Sequence, residues 1–300
     1  MIKRFFLEKF ILAMALCVAA GLVLPWIEGL PRYFPLMIIA VAMFYSCSKV
    51  SVEELKQMQL VPALMFYVLR FVLLPVPFFY AAKMVAPDYA LGTLLLVLSP
   101  VGVASTAIAA MVRANASVVL SATMLTHALT PVMIPLFVYV LGGSVVDVDP
   151  YKMGGALGAG IFLPAVLYFF GVRCIAPLKA YVHREADFMM SLCIGLLIVV
   201  ITGFERDYIL THPWQVFLMA VGSFVVVAVP YIVAWGYALR MGVKDRKTYM
   251  ICSGVTNTSL AAAIAALYFP SQTVVYTIVI EIPFVIALMA FMHYARRGDE

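Results

Sequence analysis

The chain has 300 residues, of which 65% are hydrophobic and 12% charged, with a mean hydropathy of +1.05 and a net charge of +5. Soluble domains carry about 45–50% apolar and about 25% charged residues. A water-surrounded enzyme, a nucleic-acid module and a disordered chain are therefore excluded. The composition is that of a polytopic membrane protein, with lipid as the solvent for most of it.

A spanning helix needs about 20 mostly apolar residues. Ten segments qualify: 9–28, 34–50, 61–83, 89–112, 117–142, 151–173, 186–204, 213–240, 247–268 and 273–295. Their lengths predict helices, not barrel strands. The basic start Met1-Ile2-Lys3-Arg4 precedes an apolar stretch to Trp26 with no small-residue cleavage site at signal-peptide distance, so a retained first span is expected. The second segment is short and is expected to continue into the amphipathic 51–60, where Glu53, Glu54 and Lys56 suit a membrane surface. The five cysteines, Cys17, Cys47, Cys174, Cys193 and Cys252, form no CxxC and read as small hydrophobes; no metal site and no cofactor is expected. Asp147 and Asp149 read as a solvated acidic loop. No HExxH, GxSxG or phosphate-binding loop occurs, so no enzyme is expected.

Numbering the two sides alternately from the N-terminus puts fifteen Lys and Arg on the N-terminal side, Lys49, Arg113, Arg184 and Lys247 among them, and four on the other: Arg32, Lys83, Lys152 and Arg206. This bias predicts both termini in the cytoplasm and an even number of spans. The positive charge is thus loop charge, and no nucleic-acid partner is implied.

Residues 102–110 (GVASTAIAA) in the fourth span and 254–262 (GVTNTSLAA) in the ninth agree at five of nine positions, with an offset of 152. The same offset carries Pro131 onto Pro283. Two inverted five-helix halves, 1–145 and 146–300, are expected; chance similarity of small-residue helices is the competing reading. Ser99-Pro100-Val101-Gly102 and Cys252-Ser253-Gly254 interrupt their apolar runs, each followed by hydroxyl or amide side chains. Unwound backbone at membrane depth survives only against protein or a cavity. Broken helices crossing at a binding site are expected, with two ordinary kinked helices as the alternative.

The stretch from Phe34 to Lys56, Leu69-Arg70-Phe71-Val72-Leu73-Leu74-Pro75, residues 99–105 (SPVGVAS), Arg113-Ala114-Asn115-Ala116-Ser117, Leu129-Thr130-Pro131 and residues 254–261 (GVTNTSLA) resemble the bile acid:sodium symporter family. That family shares a superfamily with arsenite exporters and auxin-efflux-type carriers. The resemblance implies ten helices arranged as a panel and a core, with helices four and nine broken and crossing, and uptake of an organic anion with sodium. The chain departs from the family where sodium binds. The Glu and Gln of the family's Glu-x-Gly-x-Gln-Asn fall on Cys252 and Thr256, leaving Gly254 and Asn257. The Ser-Asn pair of helix four is Ser105-Thr106. One fifth-helix hydroxyl falls on Thr123, the other on Val119. The sodium-binding Gln of helix three falls on Arg70, whose guanidinium stays protonated. Ser105, Thr106, Thr123 and Asn257 are the residual cation-site candidates.

Three ionisable side chains are expected inside the membrane: Arg70, His127 and Glu281. Such groups mark function by default. At 1.5 Å per residue, Arg70 lies about 13 Å and Glu281 about 18 Å from the N-terminal side, so a pair is expected, directly or through substrate or water. An Arg70 satisfied by backbone carbonyls is the alternative. His127, between Thr126 and Thr130, is a weaker coupling candidate than Glu281 and is more often a packed residue.

The reading is a secondary transporter of a small organic anion by alternating access, proton-coupled or sodium-independent, in the inner membrane of a bacterium. Substrate is expected at Arg70, Ser105, Thr106, Thr256, Asn257 and Thr258. A sodium symporter with a rebuilt site, or a receptor with a transporter fold, are the alternatives. The expected partners are the anion, a proton or sodium, and the bilayer.

Overall fold

The computed structural model describes residues 10–50, 53, 56–143 and 148–297. Within them the protein is helical and has no β-strand. The helices are α1 (Phe10–Val23), α2 (Phe34–Cys47), α3 (Leu60–Val85), α4 (Ala90–Leu98), α5 (Ser105–Met111), α6 (Ala116–Gly142) and α7 (Pro150–Cys174). They continue with α8 (Ala176–Phe204), α9 (Pro213–Tyr237), α10 (Val243–Gly254), α11 (Thr258–Tyr268), α12 (Ser271–Val279) and α13 (Glu281–Arg297). Six stretches are long and apolar enough to cross a membrane: α3, α6, α7, α8, α9 and the run through α12 and α13. Their outward faces carry Met65, Phe170, Trp214, Val225 and Ile232, all exposed. Apolar faces this extensive belong in lipid.

Most expected segments reappear with shifted ends. The seventh starts ten residues early, at Ala176, because the basic stretch 176–185 continues the helix instead of looping. There Lys49 pairs with Asp187 at 2.9 Å. Of the amphipathic 51–60, residues 51, 52, 54 and 55 lie outside the described residues, as does Asp147; Glu53 and Lys56 are exposed. Asp149 is more than a solvated charge: its carboxylate accepts from the N–H groups of Tyr151 and Lys152 and caps α7. The third and sixth helices contain π-helical turns, Val68–Leu73 and Val138–Gly142.

The helices sort into two groups by packing. α8 lies along α1 and α2, and α7 along α2. The remainder forms the second group: α3 packs on α4 and α6, α9 on α10, α12 and α13, and α11 on α12. The groups meet where α11 touches α2 and α8 and α12 touches α8, and at α7, which packs as extensively on α6 as on α2. Close approach within the first group rests on Gly21. A Cβ there would stand 2.7 Å from both Thr202 Cβ and the Val199 carbonyl of α8.

The fourth and ninth segments are both broken, by different means. Pro100, which lacks an N–H, follows the end of α4, and residues 99–104 are non-helical. In the ninth, the helix runs through Cys252-Ser253-Gly254 and opens only at Val255. The expected break is therefore three residues late. Gly254 serves packing rather than unwinding, since the Tyr231 ring of α9 lies directly over it. A Cβ on Gly254 would fall 2.1–2.3 Å from three ring carbons. Gly254→Ala should therefore displace α9 from α10 and cost about 1–3 kcal/mol of stability. The melting temperature of the purified protein checks this, and Tyr231→Leu in the same chain should recover most of the loss.

Candidate functional site

Unwinding frees backbone groups that a helix would pair. Here each break supplies the other. Val101 and Thr256 form an antiparallel bridge. Gly102 N–H donates to the Val255 carbonyl at 2.8 Å, and Asn257 N–H to the Pro100 carbonyl at 2.8 Å. The Ser105 hydroxyl donates to the same Val255 carbonyl at 3.4 Å. Val101 is fully buried, and its N–H donates to the Thr126 hydroxyl of α6 at 3.1 Å. The two segments thus cross as a two-stranded ribbon, braced by α6.

Asn257 is the hinge of the polar side. Its Oδ1 accepts from Leu260 N–H at 3.2 Å and caps α11. That fixes the amide, so Nδ2 faces outward and donates to His127 Nε2 at 3.4 Å. His127 Nδ1 meets the Thr123 carbonyl at 2.8 Å. A carbonyl only accepts, so Nδ1 carries the hydrogen and Nε2 is a bare acceptor. His127 is therefore a neutral imidazole that positions Asn257, which weakens its case as a proton carrier.

The remaining candidates divide. Thr256 and Arg70 line one cavity, with Ser253, Gly254, Pro230 and Phe284 among its walls. Glu281 lines a second and opens the first turn of α13; its Oε1 accepts from the Thr258 hydroxyl. This cavity is walled by Ile198 and Ile201 of α8 with Ser259 and Thr277, so it lies between the two helix groups. Each cavity encloses only about 10 Å³, the space of one water. Thr106 is half-buried at the start of α5. The Thr123 hydroxyl donates to Val119 of its own helix at 2.9 Å.

The expected Arg70–Glu281 pair does not form among the described ion pairs. Arg70 instead donates through Nη1 to the Val97 carbonyl and through Nε to the Ser253 carbonyl at 3.2 Å. Similar depth along a helix axis does not fix which way a side chain faces, and these two face different cavities.

Two residues escaped the sequence reading. Thr126 was seen only as a neighbour of His127. Lys247, counted as a loop cation, is 1% exposed and donates to the Val112 carbonyl at the end of α5 at 3.3 Å. Its signal was helical spacing: Lys247, Ile251 and Gly254 share one face of α10. Thr126→Val should leave a buried N–H at Val101 without an acceptor and cost about 1–3 kcal/mol. Thermal unfolding should show that loss, while Thr126→Ser stays close to the parent.

The family model described as the Sodium Bile acid symporter family matches residues 36–212, more than half of the chain. The Bacillus subtilis (strain 168) protein YbaS, described as uncharacterized, is 26% identical over 191 residues, which cover 63% of this chain and 62% of YbaS.

Proposed function

Because the chain belongs to the sodium bile acid symporter family, we propose that it is a secondary carrier of a small organic anion, driven by protons and indifferent to sodium. The family assignment and the apolar helices make it a transmembrane transporter. The finer reading is ten spans in two inverted five-helix repeats, 1–145 and 146–300. α1, α2, α7 and α8 form the panel, and the other helices form the core. Both termini lie in the cytoplasm of a bacterium bounded by this inner membrane.

The observation that carries the coupling is the position of Glu281. Its carboxyl group faces the cavity between panel and core, and its hydrogen-bond partner there is the Thr258 hydroxyl, one residue from the crossing. A carboxylate in such a place needs a cation or a proton. Arg70 is engaged elsewhere, and with sodium disfavoured on the grounds below, the proton is the partner assigned.

Substrate is assigned to the crossing, near Thr106, Thr256, Asn257 and Thr258, where the capped N-terminus of α11 favours an anion. The cavity between panel and core has room for one water, so an organic anion enters there only if panel and core separate. That is what alternating access demands.

Two features support sodium independence. Cys252 stands where the resemblance places the family's sodium-binding Glu, and Asn257 Oδ1 already accepts from the Leu260 N–H. Arg70 also takes up the Val97 and Ser253 carbonyls, oxygens that a cation at the breaks would otherwise use.

The test is uptake by proteoliposomes, with pH and sodium gradients imposed separately. Accumulation should follow an acidic exterior and ignore sodium, and sodium should not raise the melting temperature above that in potassium or choline. Glu281→Gln should fold and still exchange substrate while losing pH-driven accumulation. Uptake that follows sodium in the parent chain, or an unchanged pH response in Glu281→Gln, would overturn the coupling assignment.

A further inference from the structure

Arg70 is 2% exposed, on the π-helical turn Val68–Leu73 of α3. π-Turns inside helices re-aim side chains and recur at functional positions. Among the described residues it makes no ion pair with Asp or Glu. A buried guanidinium with no carboxylate is costly, so its charge must be balanced in another way.

The balance comes from two helix ends. Val97 is the penultimate residue of α4, and Ser253 is the penultimate residue of α10. Both helices stop at the crossing, so their last carbonyls lack partners within the helix. Nη1 takes the first and Nε takes the second. Each helix C-terminus carries about half a negative charge, so two of them offset about one positive charge. The Phe71 ring adds its face, with Cζ at 5.0 Å from the centroid.

We propose that the converging ends of α4 and α10 form a carbonyl-walled cation site that is permanently filled by the Arg70 side chain. Arg70 is then a tethered counter-ion. It joins α3 to both breaks, so that three helices move as one piece. The inference rests on this geometry alone and holds or fails independently of the proton-coupling assignment.

The site should accept a free cation once the tether is cut. The experiment measures melting temperatures of the full chain in detergent or nanodiscs, for the parent, Arg70→Lys, Arg70→Met and Arg70→Ala. The order should be parent, then Lys, then Met, with the neutral Met variant about 10 °C below the parent. Millimolar guanidinium should raise the melting temperature of Arg70→Ala saturably, whereas choline at equal concentration should not, and the parent should respond to neither. A Met variant as stable as the Lys variant would overturn the proposal. So would a rise in Arg70→Ala that choline reproduces. If Arg70→Ala cannot be purified, the comparison of Lys with Met decides, since size is similar and charge differs.

Discussion

Everything near the centre of this protein follows from one constraint: backbone polar groups in an apolar surrounding must find partners inside the protein. Two helices stop short there, and their unpaired groups satisfy one another. Pro100 and Gly102 offer a carbonyl and an N–H, and Asn257 and Val255 return the complements. Neither break could persist alone. A helical ninth segment would take back the Val255 carbonyl and the Asn257 N–H, leaving Gly102 and Pro100 buried and unpaired. The breaks are therefore one feature, and the bridge between Val101 and Thr256 is its signature.

Groups that the ribbon itself cannot satisfy are met by side chains from outside it. Thr126 receives the Val101 N–H, Asn257 caps α11, and His127 receives the Asn257 amide. Cations close the carbonyl ends: Arg70 at α4 and α10, Lys247 at α5. Lys and Arg at helix C-termini are electrostatically favoured. Here the preference is met at three buried residues, Val97, Ser253 and Val112, whose carbonyls water cannot serve.

Much of this was legible in the chain before folding. Pro100 ends a helix by chemistry, so the first break fell where expected. Asn257 stood out as a polar site residue, but its capping of α11 shows only in the structure. Other features were readable only in part. Gly254 looked like an interruption, yet its lack of a side chain serves the Tyr231 ring, and a glycine's reason cannot be told from its letter alone. Arg70 and Glu281 were placed at similar depths by counting residues, but rotation about each helix axis separates them. The π-helical turn under Arg70 sets that rotation, and no periodicity in the sequence announces it. The basic stretch 176–185 reads as a loop by its charge, yet it forms the first turns of α8.

The separation of the two charges has a mechanical meaning on the carrier reading. A rocking carrier needs one part that stays rigid and one seam that opens. Arg70 is bound to both half-helix ends and to α3, so its charge belongs to the rigid part. Glu281 touches the crossing only through the Thr258 hydroxyl, and its other neighbours include the apolar side chains of α8 across the seam. Gain or loss of a proton at Glu281 changes the polarity of the seam without altering any hydrogen bond in the ribbon. Had the two formed an ion pair, each protonation event would have left a buried guanidinium uncompensated at the crossing itself. On the proton-coupled reading proposed above, keeping them apart would let the seam respond to protons while the ribbon keeps its shape.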